Sequence, residues 1–215
     1  MIELYAHPFS PYAQKVQYFL EETGLAYKYH TVDPMAGDVG KAALLKVNPL
    51  GMVPAIALDG FNLGESAAIL RYLALRFQLT SYYPENLEDR ARVDEMLEFG
   101  AASLSRYLMS LAWTLVWAPR FGLPVHVSTV EEQRLRLAKG LGRFERHMLG
   151  RTFVQGATVT LADISLLPFF AMHRDAQVAL DDYPATKAWF ERMAQTPGWC
   201  KVRESYQRAL KAMQG

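Results

Sequence analysis

A valine followed by proline at the mouth of an apolar run most restricts what this chain can fold into. The run is Asn48-Pro49-Leu50-Gly51-Met52-Val53-Pro54-Ala55. Proline has no N–H, so a sheet tolerates it at the first residue of a strand or at an edge. An X-Pro bond is also the one common setting for a cis peptide. The run therefore suggests an unusual backbone, with a cis Val53–Pro54 bond as one candidate at the head of a strand. Such a bond would turn the Val53 N–H and C=O sideways, where they can pair with another peptide backbone. Shortly after it, Gly64-Glu65-Ser66 opens a helix. The unpaired N–H groups and dipole at Ser66 suit a carboxylate, and Glu65 suits an ammonium group. A backbone clamp beside a carboxylate-and-amine clamp describes a pocket for a small peptide with a free α-amino acid end.

The 215 residues can build two modest domains, and 51% hydrophobic with 21% charged residues is ordinary for a globular chain. A net charge of +1 gives no global electrostatic case for nucleic acid or an anionic membrane. Cys200, the single cysteine, cannot form an internal disulfide or a multi-cysteine metal site. Met1-Ile2-Glu3 runs straight into a strand pattern without a basic leader, and no apolar run reaches membrane-spanning length. The expectation is a cytoplasmic protein.

Strand and helix signals alternate through the first part of the chain. Ile2–Ala6 reads as a strand. Ser10-Pro11 is a cap followed by proline at the first helical position, and that helix carries Ala13, Val16, Phe19 and Leu20 on one face before stopping at Thr23-Gly24. Tyr27–Val32 is a second strand, parallel to the first by the crossover rule. Lys41–Val47 is a short helix. Ala55–Leu58, Asp59-Gly60 and Phe61–Leu63 form a hairpin, and Ser66–Phe77 is a helix with Ile69, Leu70 and Leu73 inward. Beyond Tyr83 only helices are expected: about Glu88–Trp117, Val130–Leu149, Leu161–His173, Tyr183–Thr196 and Trp199–Ala212. Pro119 and Pro124 should mark a loop after the long helix. Thr160-Leu161-Ala162-Asp163 has capping-box spacing. Met109, Trp113 and Trp117 fall at helical spacing as one stripe, a pattern more typical of core.

Together the Val53-Pro54 and Glu65-Ser66 pair, the Thr160–Asp163 box and the order of elements resemble a cytosolic glutathione transferase. The resemblance covers essentially the whole chain. Ser10-Pro11-Tyr12 and Arg90-Ala91-Arg92-Val93-Asp94-Glu95 are closest to the serine-type, theta-like bacterial group. The fold class implied is α/β plus all-α. A thioredoxin-like glutathione-binding domain, βαβαββα, spans residues 1–79, and an all-helical domain spans 88–215. Glutathione is then a co-substrate, held by Met52, Val53, Pro54, Glu65, Ser66 and Lys41. Tyr12, Tyr107 and Trp113 are candidates for the wall of a pocket for a small apolar electrophile. Family members pair about a two-fold axis, so a homodimer is implied. Met96, Phe99 and Leu104, beside Arg92 and Arg106, are offered as its contacts, and Arg106 as a residue reaching toward the partner's site.

The reaction implied asks little of the protein, and needs no metal and no general-base triad. A free thiol with a pKa of about 8.5 is only about 3% ionised at pH 7. Lowering that pKa by about two units takes about 2.7 kcal/mol. A hydroxyl at a helix N-terminus can supply it through a charge-assisted hydrogen bond and the helix dipole. Ser10 is placed for that role. Tyr5 is the rival hydroxyl, more naturally a packing residue, and His7 before Pro8 is more naturally a loop residue. Cysteine-type relatives need a cysteine near Ser10, and none is there. Where relatives carry basic residues for the glycine-end carboxylate, this chain has Val39 and Met52, with Lys41 as the nearby substitute. Two other functions stay open: a non-catalytic binding or interaction module on the same fold, and a glutathione-dependent reductase or peroxidase.

Overall fold

A computed structural model describes residues 1–33, 37, 41–125 and 127–212. The chain forms two compact units. One contains residues 1–80 with 194–215, and the other residues 81–193.

The first unit is built on a four-stranded sheet in the order β2-β1-β3-β4. β1 (Ile2–Ala6) runs parallel to β2 (Tyr27–Thr31) and antiparallel to β3 (Ala55–Leu58), which turns back into β4 (Phe61–Leu63). Side chains alternate along β1. Ile2, Leu4 and Ala6 are buried on one face, while Glu3 and Tyr5 point to the other. The Asp59-Gly60 hairpin turn has both residues at positive φ, 51° and 82°, as the twist of a tight hairpin requires.

α1 (Pro11–Thr23) starts where Ser10 adopts an extended conformation and Pro11 fixes the first helical φ. It ends at Gly24, whose φ of 70° lets its N–H reach the Leu20 carbonyl. The sequence suggests one apolar face, but Gln14, Lys15, Gln17 and Tyr18 are buried as well. The final helix, α10 (Pro197–Ala212), packs along α1 and covers Tyr18. Gly198 N–H donates to Glu22 Oε2 at 2.8 Å, and a Cβ on Gly198 would come within 2.6 Å of the Glu22 backbone. Trp199 meets the Tyr18 ring edge-on at 5.6 Å, and the Tyr18 hydroxyl bonds Thr196 Oγ1 at 2.8 Å. The compact units thus group this helix with the first domain, whereas the sequence boundary of 88–215 groups it with the helices.

α2 (Ala42–Val47) stops at Asn48, and α3 (Ser66–Arg76) buries Ile69, Leu70 and Leu73.

The second unit is helical. α4 (Leu87–Gly100) is capped by Asn86 Oδ1, which accepts the Asp89 N–H at 2.9 Å. It continues through a π-helical turn at Ala101–Ser105 into α5 (Arg106–Ala112), then through a second at Trp113–Trp117 into α6 (Ala118–Arg120). At the first wide turn α7 (Val130–Met148) comes into tight contact, its Gly140 lying against the Ser103 carbonyl. The second corrects two expectations. The chain stays helical past Pro119, and the helix ends only after Arg120. The Met109–Trp113–Trp117 stripe is also not uniformly core. Trp117 is buried, with its indole N–H on Asp175 at 3.1 Å, while Trp113 is 39% exposed. A third correction concerns Met96 and Leu104. Both are buried inside their own chain and supply no free dimer contact.

α8 (Leu161–Phe170) is buried along its whole length, and Gly100 of α4 leaves room for Leu166. Asp163 supports it. Its carboxylate accepts the Thr160 N–H and hydroxyl, the Val154 N–H at 2.8 Å and the Trp189 indole N–H at 2.9 Å. α9 (Pro184–Met193) is capped from α7 by Glu145.

Candidate functional site

Three pieces of the first unit carry the residues singled out in the sequence: the start of α1, the loop after α2 and the start of α3. At the first, Ser10 Oγ accepts the Ala13 N–H at 3.3 Å. Among the described residues nothing accepts the Ser10 hydroxyl proton. The first turn of α1 holds no acidic residue, so nothing there opposes a negative charge drawn to the positive end of the helix.

Tyr5 is engaged elsewhere. Its hydroxyl donates to Glu3 Oε2 at 3.2 Å, and its ring stacks on His30 at 4.6 Å and packs beside Val32, Leu44 and Ala55. Burial first, then the Glu3 hydrogen bond and charge, push its phenol above the ordinary value. A phenol so held is a poor stabiliser of an anion. His7 Nδ1 accepts the Phe9 N–H at 3.3 Å, and burial lowers its pKa, favouring the neutral ring.

At the second piece the Val53–Pro54 bond is cis. Val53 packs beside the Val32–Leu44–Ala55 cluster, Pro54 is buried, and Met52 is 61% exposed. Neither the N–H nor the C=O of Val53 is hydrogen-bonded among the described residues. The loop winds about Asn48, which is only 5% exposed. Lys41 stands at the head of α2 with a half-buried side chain. Val39, the other glycine-end position, lies outside the described residues.

At the third piece Glu65 is exposed, with φ 62° and ψ 106°, a region that residues with a Cβ rarely enter. A residue stays there when its surroundings over-determine it, and such positions gather at binding sites. Its carbonyl accepts the Ile69 N–H at 2.9 Å, starting α3. Ser66 is 6% exposed, and its N–H and hydroxyl find no partner among the described residues. Sequence reasoning did not find the Glu65 backbone or the burial of Asn48. The only available signals were Gly64 before Glu65 and an asparagine at a helix end, both of which read as ordinary punctuation.

The remaining candidates divide between the units. Tyr12, in the first, has the Lys15 ammonium 5.7 Å from its ring centroid. In the second, Tyr107 carries the Arg106 guanidinium 5.2 Å from its ring centroid, and Trp113 faces Phe121 at 6.3 Å. Arg106 is exposed. No helix among the described residues is long and apolar enough to cross a membrane.

Known proteins resemble this chain in sequence and in structure. Residues 9–76 match the family described as glutathione S-transferase, N-terminal domain, and residues 108–197 match glutathione S-transferase, C-terminal domain. The chain is 32% identical to mouse glutathione S-transferase theta-2, over 97% of its own length and 87% of that protein's. It is 31% identical to human glutathione S-transferase theta-1, over 98% and 90%. Among solved structures, glutathione transferase F2 of Populus trichocarpa superposes with a TM-score of 0.88 at 25% identity, over 97% of this chain and all of that one. The likeness extends across both compact units, and the chain belongs to the glutathione S-transferase family.

Proposed function

We propose that this protein conjugates reduced glutathione to small apolar electrophiles and that Ser10 stabilises the attacking thiolate. The observation that carries the reading is the Ser10 cap. Its oxygen accepts one backbone N–H, its proton is uncommitted among the described residues, and no acid shares its helical turn. The thiol loses its proton to solvent, and the Ser10 O–H donates to the sulfur anion. The sulfur then attacks an electrophilic carbon. With an aryl halide, a C–S bond forms, the carbon–halogen bond breaks, and halide leaves with the bonding pair.

Glutathione is held by its two ends and its middle. The Ser66 N–H and hydroxyl take the γ-glutamyl carboxylate, Glu65 takes the α-ammonium, and the Val53 N–H and C=O pair with the cysteinyl backbone. Met52 and Pro54 border that segment, and Lys41 is the residue assigned to the glycine carboxylate. Tyr12, Tyr107 and Trp113 are the aromatic side chains offered to the electrophile. We further propose a homodimer, and light scattering should report about twice the 24.3 kDa chain mass.

The test combines retention on immobilised glutathione with titration of the bound thiol by its thiolate absorbance. The expected thiol pKa is about 6.5, against about 8.5 for a free thiol. In Ser10→Ala it should rise toward the free value. A wild-type protein that is not retained, or a bound thiol that titrates as if free, overturns the proposal.

A further inference from the structure

We infer that Asn48 is a positioning residue that sets the Val53 backbone and the Glu65–Ser66 helix start in register. The inference rests on the proposed glutathione site. Asparagine is seldom fully buried, because its amide loses water and must find partners inside. Asn48 is 5% exposed, and both ends of its amide are used. Nδ2 donates to the Met52 carbonyl at 2.8 Å, and Oδ1 accepts the Leu50 N–H at 3.2 Å. Its backbone is fixed at both ends too, with its N–H on the Leu44 carbonyl at 2.7 Å and its C=O accepting the Gly51 N–H at 2.9 Å. The peptide immediately before Val53 is therefore held by a side chain fixed to the end of α2.

The same amide touches the other half of the site. A Cβ on Gly64 would lie 2.9 Å from Asn48 Nδ2, 3.1 Å from Cγ and 3.2 Å from Oδ1. Gly64 does not have a positive φ. What its missing side chain provides is room for the Asn48 amide to lie against the backbone. The next residue is Glu65, held at φ 62°. One buried amide thus meets the Met52 carbonyl on one side and the Gly64 backbone on the other, next to the two groups that must grip a single ligand together. Neither contact touches Ser10, so a disturbed Asn48 should weaken glutathione binding and leave the thiolate chemistry intact. A side chain that packs without positioning would lower stability and leave that split unseen.

The experiment is a double-mutant cycle on Asn48→Ala and Gly64→Ala, with Asn48→Asp as a shape-preserving variant that cannot donate to the Met52 carbonyl. Glutathione KM, kcat with a generic activated aryl halide, and bound-thiol pKa are measured on the full chain. We expect Asn48→Asp and Gly64→Ala each to raise KM about tenfold, with kcat within about threefold and the thiol pKa unchanged. In the double variant the space vacated by Asn48→Ala accommodates the methyl added by Gly64→Ala, so the KM increases should not multiply. If one variant fails to fold, the other two single variants give the same KM-to-kcat split. Wild-type retention on glutathione separates the two ways of failing. A retained wild type whose variants keep their KM, or lose kcat and KM in equal measure, overturns the role of Asn48 alone. A wild type that does not bind glutathione overturns both this role and the proposed function.

Discussion

Ser10 and Thr160 both open a helix with a hydroxyl, and the two starts end in opposite states. At α8 the cap closes on the protein itself. Thr160 is 3% exposed, Asp163 is fully buried, and the Asp163 carboxylate collects four donated hydrogen bonds from Val154, Thr160 and Trp189. At α1 the cap stays open. Ser10 is half-buried, takes a single N–H at 3.3 Å, and has no acid in its helical turn. Both sites spring from the same rule, that a helix start needs acceptors for its first N–H groups. The closed one converts that need into stability. The open one keeps a donor and the positive end of a dipole available to an anion.

Removing the closed cap should have the largest effect on the fold. Asp163→Ala strands the Val154, Thr160 and Trp189 donors in the interior and should cost about 3–5 kcal/mol of unfolding free energy. Denaturant titration measures it, and a loss under about 1 kcal/mol would mean the box is incidental to α8. Ser10→Ala should reverse the pattern. We expect kcat/KM for conjugation to fall roughly tenfold to a thousandfold, the range for losing one anion-stabilising donor. Its stability should fall by no more than about 2 kcal/mol, the usual limit for a lost cap. Tyr5→Phe, whose hydroxyl serves Glu3, should change kcat/KM little. If Tyr5→Phe is the more damaging of the two, the open cap is only structural and the contrast with Thr160 disappears.

The difference between the two caps also marks what the sequence could reveal. Spacing alone located both, along with every strand among the described residues and the stop of α1 at Gly24, because caps, turn pairs and prolines act through local backbone chemistry. Spacing could not say which cap was satisfied. The donors on Asp163 arrive from Val154 and Trp189, far apart along the chain. The same limit hid the docking of α10 on α1, which depends on Gly198 fitting against Glu22. It also hid the wide turns in the helix from Leu87 to Arg120, since π turns keep a helical pattern while rotating the side chains beyond them. Of the candidate site, residue types and spacing could nominate candidates. The Glu65 backbone and the Asn48 amide were not legible, because each is fixed by its neighbours in space.

An open helix start should also show in the ligand. Ser66 of α3 keeps its N–H free among the described residues, like the hydroxyl of Ser10, and Glu65 stands exposed beside it. Glutathione should accordingly be gripped by its γ-glutamyl end. In calorimetry a des-amino analogue should lose about tenfold in affinity, the lower range for one charge-assisted hydrogen bond. γ-Glutamylcysteine, which lacks the glycine, should lose less. The reverse ranking would assign the main anchor to the glycine carboxylate and to a cation such as Lys41.

The smallest effect expected comes from a third helix start, α9, capped by a residue of another helix. Glu145 of α7 accepts the Ala185 N–H at 2.9 Å, the Thr186 N–H at 2.8 Å and the Thr186 hydroxyl at 2.7 Å. Burial is the largest single influence on its pKa and raises it. The three hydrogen bonds together outweigh burial and leave the carboxyl below its ordinary value of 4.5. A depressed folded pKa means the ionised form is favoured by folding. The contribution is therefore complete above the unfolded pKa and is lost as pH falls through the folded one. Glu145→Gln retains an acceptor and removes the charge, so the variant should melt below wild type at pH 7. That gap in Tm should narrow as the pH is lowered below about 4.5, in the same window where the wild-type carboxyl takes up its proton. A gap that stays constant down to pH 3 would mean the charge adds nothing here. Glu145 would then be a closed cap by shape alone, joining Thr160 on the structural side of the comparison.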